Sequence, residues 1–208
     1  MYQALKTDAT PNGEINEAQA RLLESAIKLF ASKGYDGASI REIVRDAGVT
    51  RPVLYYYFKN KEDLFCCIVE QQFTLLDDQV DTILRTVSGC RSRLKALIQF
   101  TFEFASLAPD LVRMILQYFF SSAQDSFRLD KKALAERRFA GIVEMMRQGL
   151  ESGELVGPDA EILAHTFAAI MDMHVMSSSL NEDRRDELLS PEAGETLVEL
   201  FFTGAGPR

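Results

Sequence analysis

The chain has 208 residues, 47% hydrophobic and 26% charged, the composition of a globular protein with enough apolar mass for a sizeable core in one or two domains. A net charge of −8 excludes a chain that coats nucleic acid through bulk charge, though not one with a local basic patch. Three cysteines, an odd number with no C-x-x-C spacing, argue against a disulfide framework and for a reducing, cytoplasmic compartment.

The opening MYQALKTDATPNG has no apolar stretch of the kind a signal peptide needs, and no later segment is long and apolar enough for a membrane span. The expectation is a cytoplasmic chain without a membrane partner. Strand-like alternation is missing and the helical period persists, so the predicted fold class is all-α with about nine helices. Residues 1 to about 13 read as an arm, and GAGPR at the end reads as frayed.

The first helix is predicted from about Asn16 to Lys33, with Ala18, Leu22, Leu23, Ala26, Ile27, Leu29 and Phe30 on its apolar face and Gly34 as its stop. The second opens at Ser39, where Ser39 and Glu42 have the spacing of a capping box, and ends at Gly48. A short third helix starts at Thr50, a candidate N-cap, with Pro52 tolerated in the first turn. Leu54 and Phe58 point inward from it. Asn60 caps a fourth helix that runs to about Thr86, with Asp63 three residues on. Further helices are predicted at about 91–107, 110–122, 126–151, 159–180 and 191–203. The division expected is residues 14–77, a three-helix N-terminal module, and 78–208, a C-terminal helical bundle.

Ser39 to Lys61, SIREIVRDAGVTRPVLYYYFKNK, has the plan of a helix-turn-helix: a helix of about two turns, a turn containing Gly, and a second helix with a small buried side. It carries five basic and two acidic residues, net +3, in a chain of net −8. Arg51 suits a guanine edge or a phosphate, and Val53 a thymine methyl. Tyr55, Tyr56 and Tyr57 can donate hydroxyls to phosphate oxygens, and helix N-termini near Thr50 and Lys61 offer amides to a phosphate. Helix-turn-helix shapes also occur in proteins that never touch DNA. Three consecutive tyrosines, however, cannot all be buried on one face of a helix.

These residues resemble a known family. A-x-x-L-F-x-x-x-G-Y, I-x-x-I-x-x-x-A-G-V and L-Y-Y-Y-F-x-N-K-E-x-L, over about residues 16 to 70, are similar to the N-terminal module of the TetR family of transcriptional regulators. The rest of the chain resembles that family in length, helix count and the G-x-L run at Gly153 to Leu155. The resemblance implies a homodimer on a double-stranded operator of two related half-sites, a repressor released by a small-molecule effector. It assigns DNA contact to Arg41, Thr50, Arg51, Val53, Tyr55, Tyr56, Tyr57 and Lys61, the tyrosines and Lys61 mainly on phosphates.

The stretch AEILAHTFAAIMDMHVM is apolar around nearly its whole circumference, and the last helix carries Leu197, Val198, Leu200, Phe201 and Phe202. A helix apolar on all sides must be covered on all sides, and a second copy of the chain is the simplest cover. The middle helices are rich in Phe and Met. The resemblance places an inducer pocket there, with Phe100, Phe104, Phe119, Met145 and Met171 as candidates, although plain core remains the competing reading for each. The expected mechanism is a population shift in which the ligand favours a dimer that does not fit DNA, with the fourth helix as the lever.

Other classes fare worse. His165 and His174 are nine apart, and Glu161 is four before His165. Two histidines without a third ligand make a poor metal site, so no metal, no cofactor and no enzyme activity is expected. Control by a protein partner, or by oxidation of Cys66, Cys67 or Cys90, stays as an alternative to a small ligand.

Overall fold

The computed structural model describes residues 17–120 and 128–205. Among them are ten α-helices and no strand. The N-terminal four are α1 (Glu17–Gly37), α2 (Ile40–Asp46), α3 (Arg51–Tyr57) and α4 (Lys61–Thr86). The middle three are α5 (Cys90–Leu107), α6 (Pro109–Phe120) and α7 (Lys131–Ser152). The last three are α8 (Ala160–Leu180), α9 (Arg185–Leu188) and α10 (Pro191–Ala205), with a 3-10 turn at Glu182–Arg184 before α9. The helix beyond the expected nine is α9. It is one turn in a polar stretch, NEDRRDELLS, that offers no apolar periodicity to read. The arm of residues 1 to about 13 and the start of the helix expected from about 126 lie outside the described residues.

The chain divides into two compact units, and the division is not the contiguous one expected at 77/78. The first unit holds residues 1–75 together with 108–131, and the second holds 76–107 together with 132–208. The unexpected member of the first unit is α6, which packs on α1. Gln117 donates to the Ala31 carbonyl at 3.1 Å, and the Tyr118 ring lies 5.5 Å from that of Phe65.

In the first unit α1 turns Leu22, Leu23, Ala26, Ile27 and Phe30 fully inward. Burial of such side chains contributes about 1.5–3 kcal/mol each, which outweighs the marginal stability of an isolated helix. Gly34 has φ 71, and the helix kinks there before one further turn to Gly37. Tyr35 then stacks on Phe30 at 5.8 Å and meets Phe65 edge-on at 5.3 Å.

In the second unit α10 packs on α5 and α8. Glu154 closes the N-terminus of α5, accepting from the amides of Cys90 at 2.9 Å and Arg91 at 3.2 Å. Arg93 caps the end of α4, donating to the carbonyls of Val87 at 2.7 Å and Leu84 at 3.0 Å. Gly141 lies directly against Val80, so a methyl group there has no room. Arg138 and Asp172 pair bidentately between α7 and α8.

Candidate nucleic-acid interface

The helix-turn-helix is built by local bonds that its sequence encodes. Ser39 Oγ accepts from the Glu42 amide at 3.3 Å, and the Ser39 amide donates to Glu42 Oε2 at 3.1 Å, which completes the capping box. At the other end of α2 the Val49 amide donates to the Val44 carbonyl at 3.0 Å and the Gly48 amide to Arg45 at 3.3 Å. This pair of bonds is a Schellman stop, and it needs the left-handed backbone that Gly48 adopts at φ 64. Thr50 occupies the N-cap position of α3 in extended conformation, but its side chain makes no capping bond. Its hydroxyl is left at the surface instead.

Each helix then presents one face. On α2 the two acids lean toward α1, where Lys33 donates to Glu42 at 2.6 Å and Lys28 to Asp46 at 3.2 Å. Arg41 and Arg45, four apart, are exposed on the other side. On α3, Leu54 is fully buried and Phe58 follows it inward, while Tyr55 and Tyr56 are 54% and 79% exposed. Arg51 is exposed beside Tyr55. Among the described residues the guanidinium groups of Arg41, Arg45 and Arg51 have no hydrogen-bond or ion-pair partner, so three cationic groups on two adjacent helices face water unspent.

Of the eight residues expected at DNA, Arg41, Thr50, Arg51, Tyr55 and Tyr56 are exposed. Val53 and Tyr57 are half-buried, the Tyr57 ring meeting Tyr56 edge-on at 4.9 Å. Lys61 differs from the expectation. Its ammonium donates to the carbonyls of Tyr35 at 2.8 Å and Ala38 at 3.1 Å and lies 4.1 Å from the centre of the Tyr35 ring. Burial lowers its pKa and, above all, raises that of Tyr35 to about 12. The N-terminus of α4 is also occupied: Asn60 Oδ1 accepts from the Asp63 amide at 2.7 Å, and Asp63 accepts from the Lys59 amide at 2.9 Å. Arg45 was not among the residues expected at DNA. Its spacing of four from Arg41 was the available signal.

The five candidate pocket residues are divided between the units. Phe119 belongs to the first, 5.8 Å from Phe73 and 5.4 Å from Tyr118. Phe100, Phe104, Met145 and Met171 belong to the second, where both methionines are buried and the two rings stack at 6.4 Å. A cavity of about 350 Å³ in the first unit is lined by Phe30, Tyr35, Phe65, Met114, Tyr118 and others, and by none of the five.

Three features bear on the rival classes. The His165 ring meets Phe139 at 4.5 Å, and the His174 ring lies 6.1 Å from Phe102, so each has its own aromatic neighbour. Among the described residues no cluster of three His, Cys, Asp or Glu is spaced to hold a metal ion. Burial pushes the Cys67 thiol up to about 11 and Cys90 to about 12, and raises that of Cys66, which keeps all three protonated and poorly nucleophilic at neutral pH.

Residues 22–66, which hold this whole arrangement, match the model of bacterial regulatory proteins of the tetR family. That N-terminal module is similar to the DNA-binding module of the tetR family. It is 27% identical over 185 residues to the HTH-type transcriptional regulator BetI of Rhizobium meliloti, covering 86% of this chain and 84% of BetI. To the HTH-type transcriptional activator FasR of Mycolicibacterium smegmatis it is 32% identical over 102 residues, 49% of this chain, so it spans about half (47%) of that relative's length. Among solved structures it is similar to the regulator FadR of Bacillus subtilis in complex with stearoyl-CoA, with a TM-score of 0.73 and 19% identity over 88% of this chain and 97% of FadR. That likeness of fold extends beyond the matched module, through the C-terminal helices. Among the described residues no helix is long and apolar enough to cross a membrane.

Proposed function

We propose that this chain is a homodimeric, sequence-specific DNA-binding repressor, not an enzyme, released from an operator by a small ligand with an apolar or aromatic portion. The observation that carries the reading is the outward face of α2 and α3: unpaired Arg41, Arg45 and Arg51 beside exposed Tyr55 and Tyr56. Guanidiniums suit guanine edges and phosphates, and tyrosine hydroxyls suit phosphate oxygens. Thr50 and Val53 complete the contact set. The relatives' names, transcriptional regulators in each case, support the same class.

A second copy is supported by a seam on α8. Ile162, Met173 and Leu180 are 52%, 54% and 76% exposed, and intervals of 11 and 7 residues place them in one line along the helix. Leu200 on α10 is 63% exposed as well. Large apolar side chains aligned on one stripe lose little by meeting their symmetry copies. FadR's complex with stearoyl-CoA makes a long-chain acyl-CoA the first compound to try, and the protonated thiols give no support to control by oxidation.

Selection of duplexes retained by the purified protein from a random pool tests the reading. Enriched fragments carrying an inverted repeat are expected, with binding that weakens steeply as salt rises. Tyr56→Ala is expected to weaken retention roughly tenfold with no change in helical circular dichroism. A pool that shows no enrichment would sink the proposal. Stearoyl-CoA that leaves retention unchanged would remove that ligand and keep the DNA-binding part.

A further inference from the structure

The side chain of Lys61 does something that its position in the motif does not announce. It is the first residue of α4, yet its ammonium closes the end of α1. Carbonyls at the C-terminal end of a helix can take a further donor, and a lysine there also meets the negative end of the helix dipole. Two of its three N–H donors go to Tyr35 and Ala38, and the ammonium rests against the Tyr35 ring. Ala38 is the residue immediately before Ser39, the N-cap of α2. The α1–α2 junction is therefore tied to the start of α4 from 23 and 26 residues away. From that junction α2 follows rigidly through its capping box, and α3 follows α2 through the Gly48 stop.

We propose that Lys61 is a positioning residue for DNA recognition: its ammonium fixes the α1–α2 junction, and with it the presentation of Arg41, Arg45, Arg51, Tyr55 and Tyr56, instead of gripping a phosphate. A phosphate grip requires an ammonium held out in solvent. This one is half-buried, turned into the module and bonded twice. The inference rests on the DNA-binding reading above and separates from it in the test.

The test compares the full-length chain with Lys61→Met on two probes, a duplex enriched by the wild-type protein and one of scrambled sequence, across a range of salt. A positioning role predicts that Lys61→Met weakens the enriched duplex about tenfold or more while the scrambled duplex and its salt slope stay unchanged. Lys61→Gln, which keeps a neutral donor for one carbonyl, is expected to recover part of the enriched-duplex affinity. If both duplexes weaken alike and the salt slope shrinks by about 1 per lost contact, Lys61 grips phosphate and the proposal is overturned. No change on either duplex overturns it too, as does Lys61→Gln behaving like Lys61→Met. Should Lys61→Met fail to fold, Lys61→Gln alone decides, by whether its loss is confined to the enriched duplex. A wild-type chain that enriches no duplex refutes the DNA-binding reading itself, and this inference falls with it.

Discussion

Three donors converge on the carboxylate of Glu42: Lys33 Nζ at 2.6 Å, Ser39 Oγ at 2.7 Å and the Ser39 amide at 3.1 Å. The Lys33 bond first, and Ser39 after it, hold its pKa down to about 2 from an ordinary 4.5. A carboxylate whose folded pKa lies below its unfolded one stabilises the fold above the unfolded value and loses that contribution as pH falls through the folded one. The α1–α2 contact is therefore expected at full strength above about pH 4.5 and to drain away toward about pH 2. Carbon NMR of the side-chain carboxyls checks this: a Glu42 midpoint near 4.5 would mean that the Lys33 and Ser39 bonds do not persist in solution. The same residue shows what pattern reading supplies. The S-x-x-E spacing announces the capping box, but it says nothing of Lys33, nine residues earlier, because that bond depends on how α1 lies against α2. Lys61 is the sharper case. Within the motif it reads as a surface cation, and only the close approach of α1's end to α4's beginning turns it inward.

At the level of elements, apolar spacing and turn residues predict α1 to α5, α8 and α10 to within a few residues. Gly48 is a good instance. Its position after I-x-x-I-x-x-x-A predicts a helix stop, and the structure supplies the left-handed φ of 64 and the two Schellman bonds. An ideal Cβ on Gly48 meets nothing within 4 Å, so a substitution there is strained by backbone conformation and not by crowding. Gly48→Ala is expected to cost about 1–2 kcal/mol in urea unfolding, and a smaller loss would mean that the turn relaxes to another conformation. Charge balance alone discriminates poorly between elements. Residues 128–138 carry the same five basic and two acidic groups as residues 39–61. There the arginines are spent: Arg128 on Asp63 and Glu70, Arg137 on Asp77, Arg138 on Asp172. In α2 and α3 they are not. The difference lies in partners that sequence does not display.

For the whole molecule, the apolar circumference of α8 separates into a side buried within its own unit, through Leu163, Phe167, Met171 and Val175, and an exposed stripe of Ile162, Met173 and Leu180. A charge on the stripe leaves the chain's own core untouched. Met173→Glu combined with Leu180→Glu is expected to convert a dimer to a monomer in analytical ultracentrifugation while keeping the helical signal. An unchanged mass would place the dimer contact elsewhere. Operator affinity should fall in the same variant, since two half-sites held by one dimer gain from effective concentration.

The sequence by itself determined most of the helices, the Ser39–Glu42 capping box and the helix-turn-helix. These are local: periodicity of 3.6, a serine three residues before a glutamate, and a glycine where φ must be positive are each read within a few residues. Tertiary structure decided the rest. It assigned α6 to the first unit, sent Phe119 there and the other four pocket candidates to the second, and spent one set of arginines while leaving another free. It also gave Lys61 to the end of α1. Each of these outcomes depends on which surfaces meet across tens of residues, and a side chain's chemistry follows from the neighbour that packs against it, which spacing along the chain does not specify.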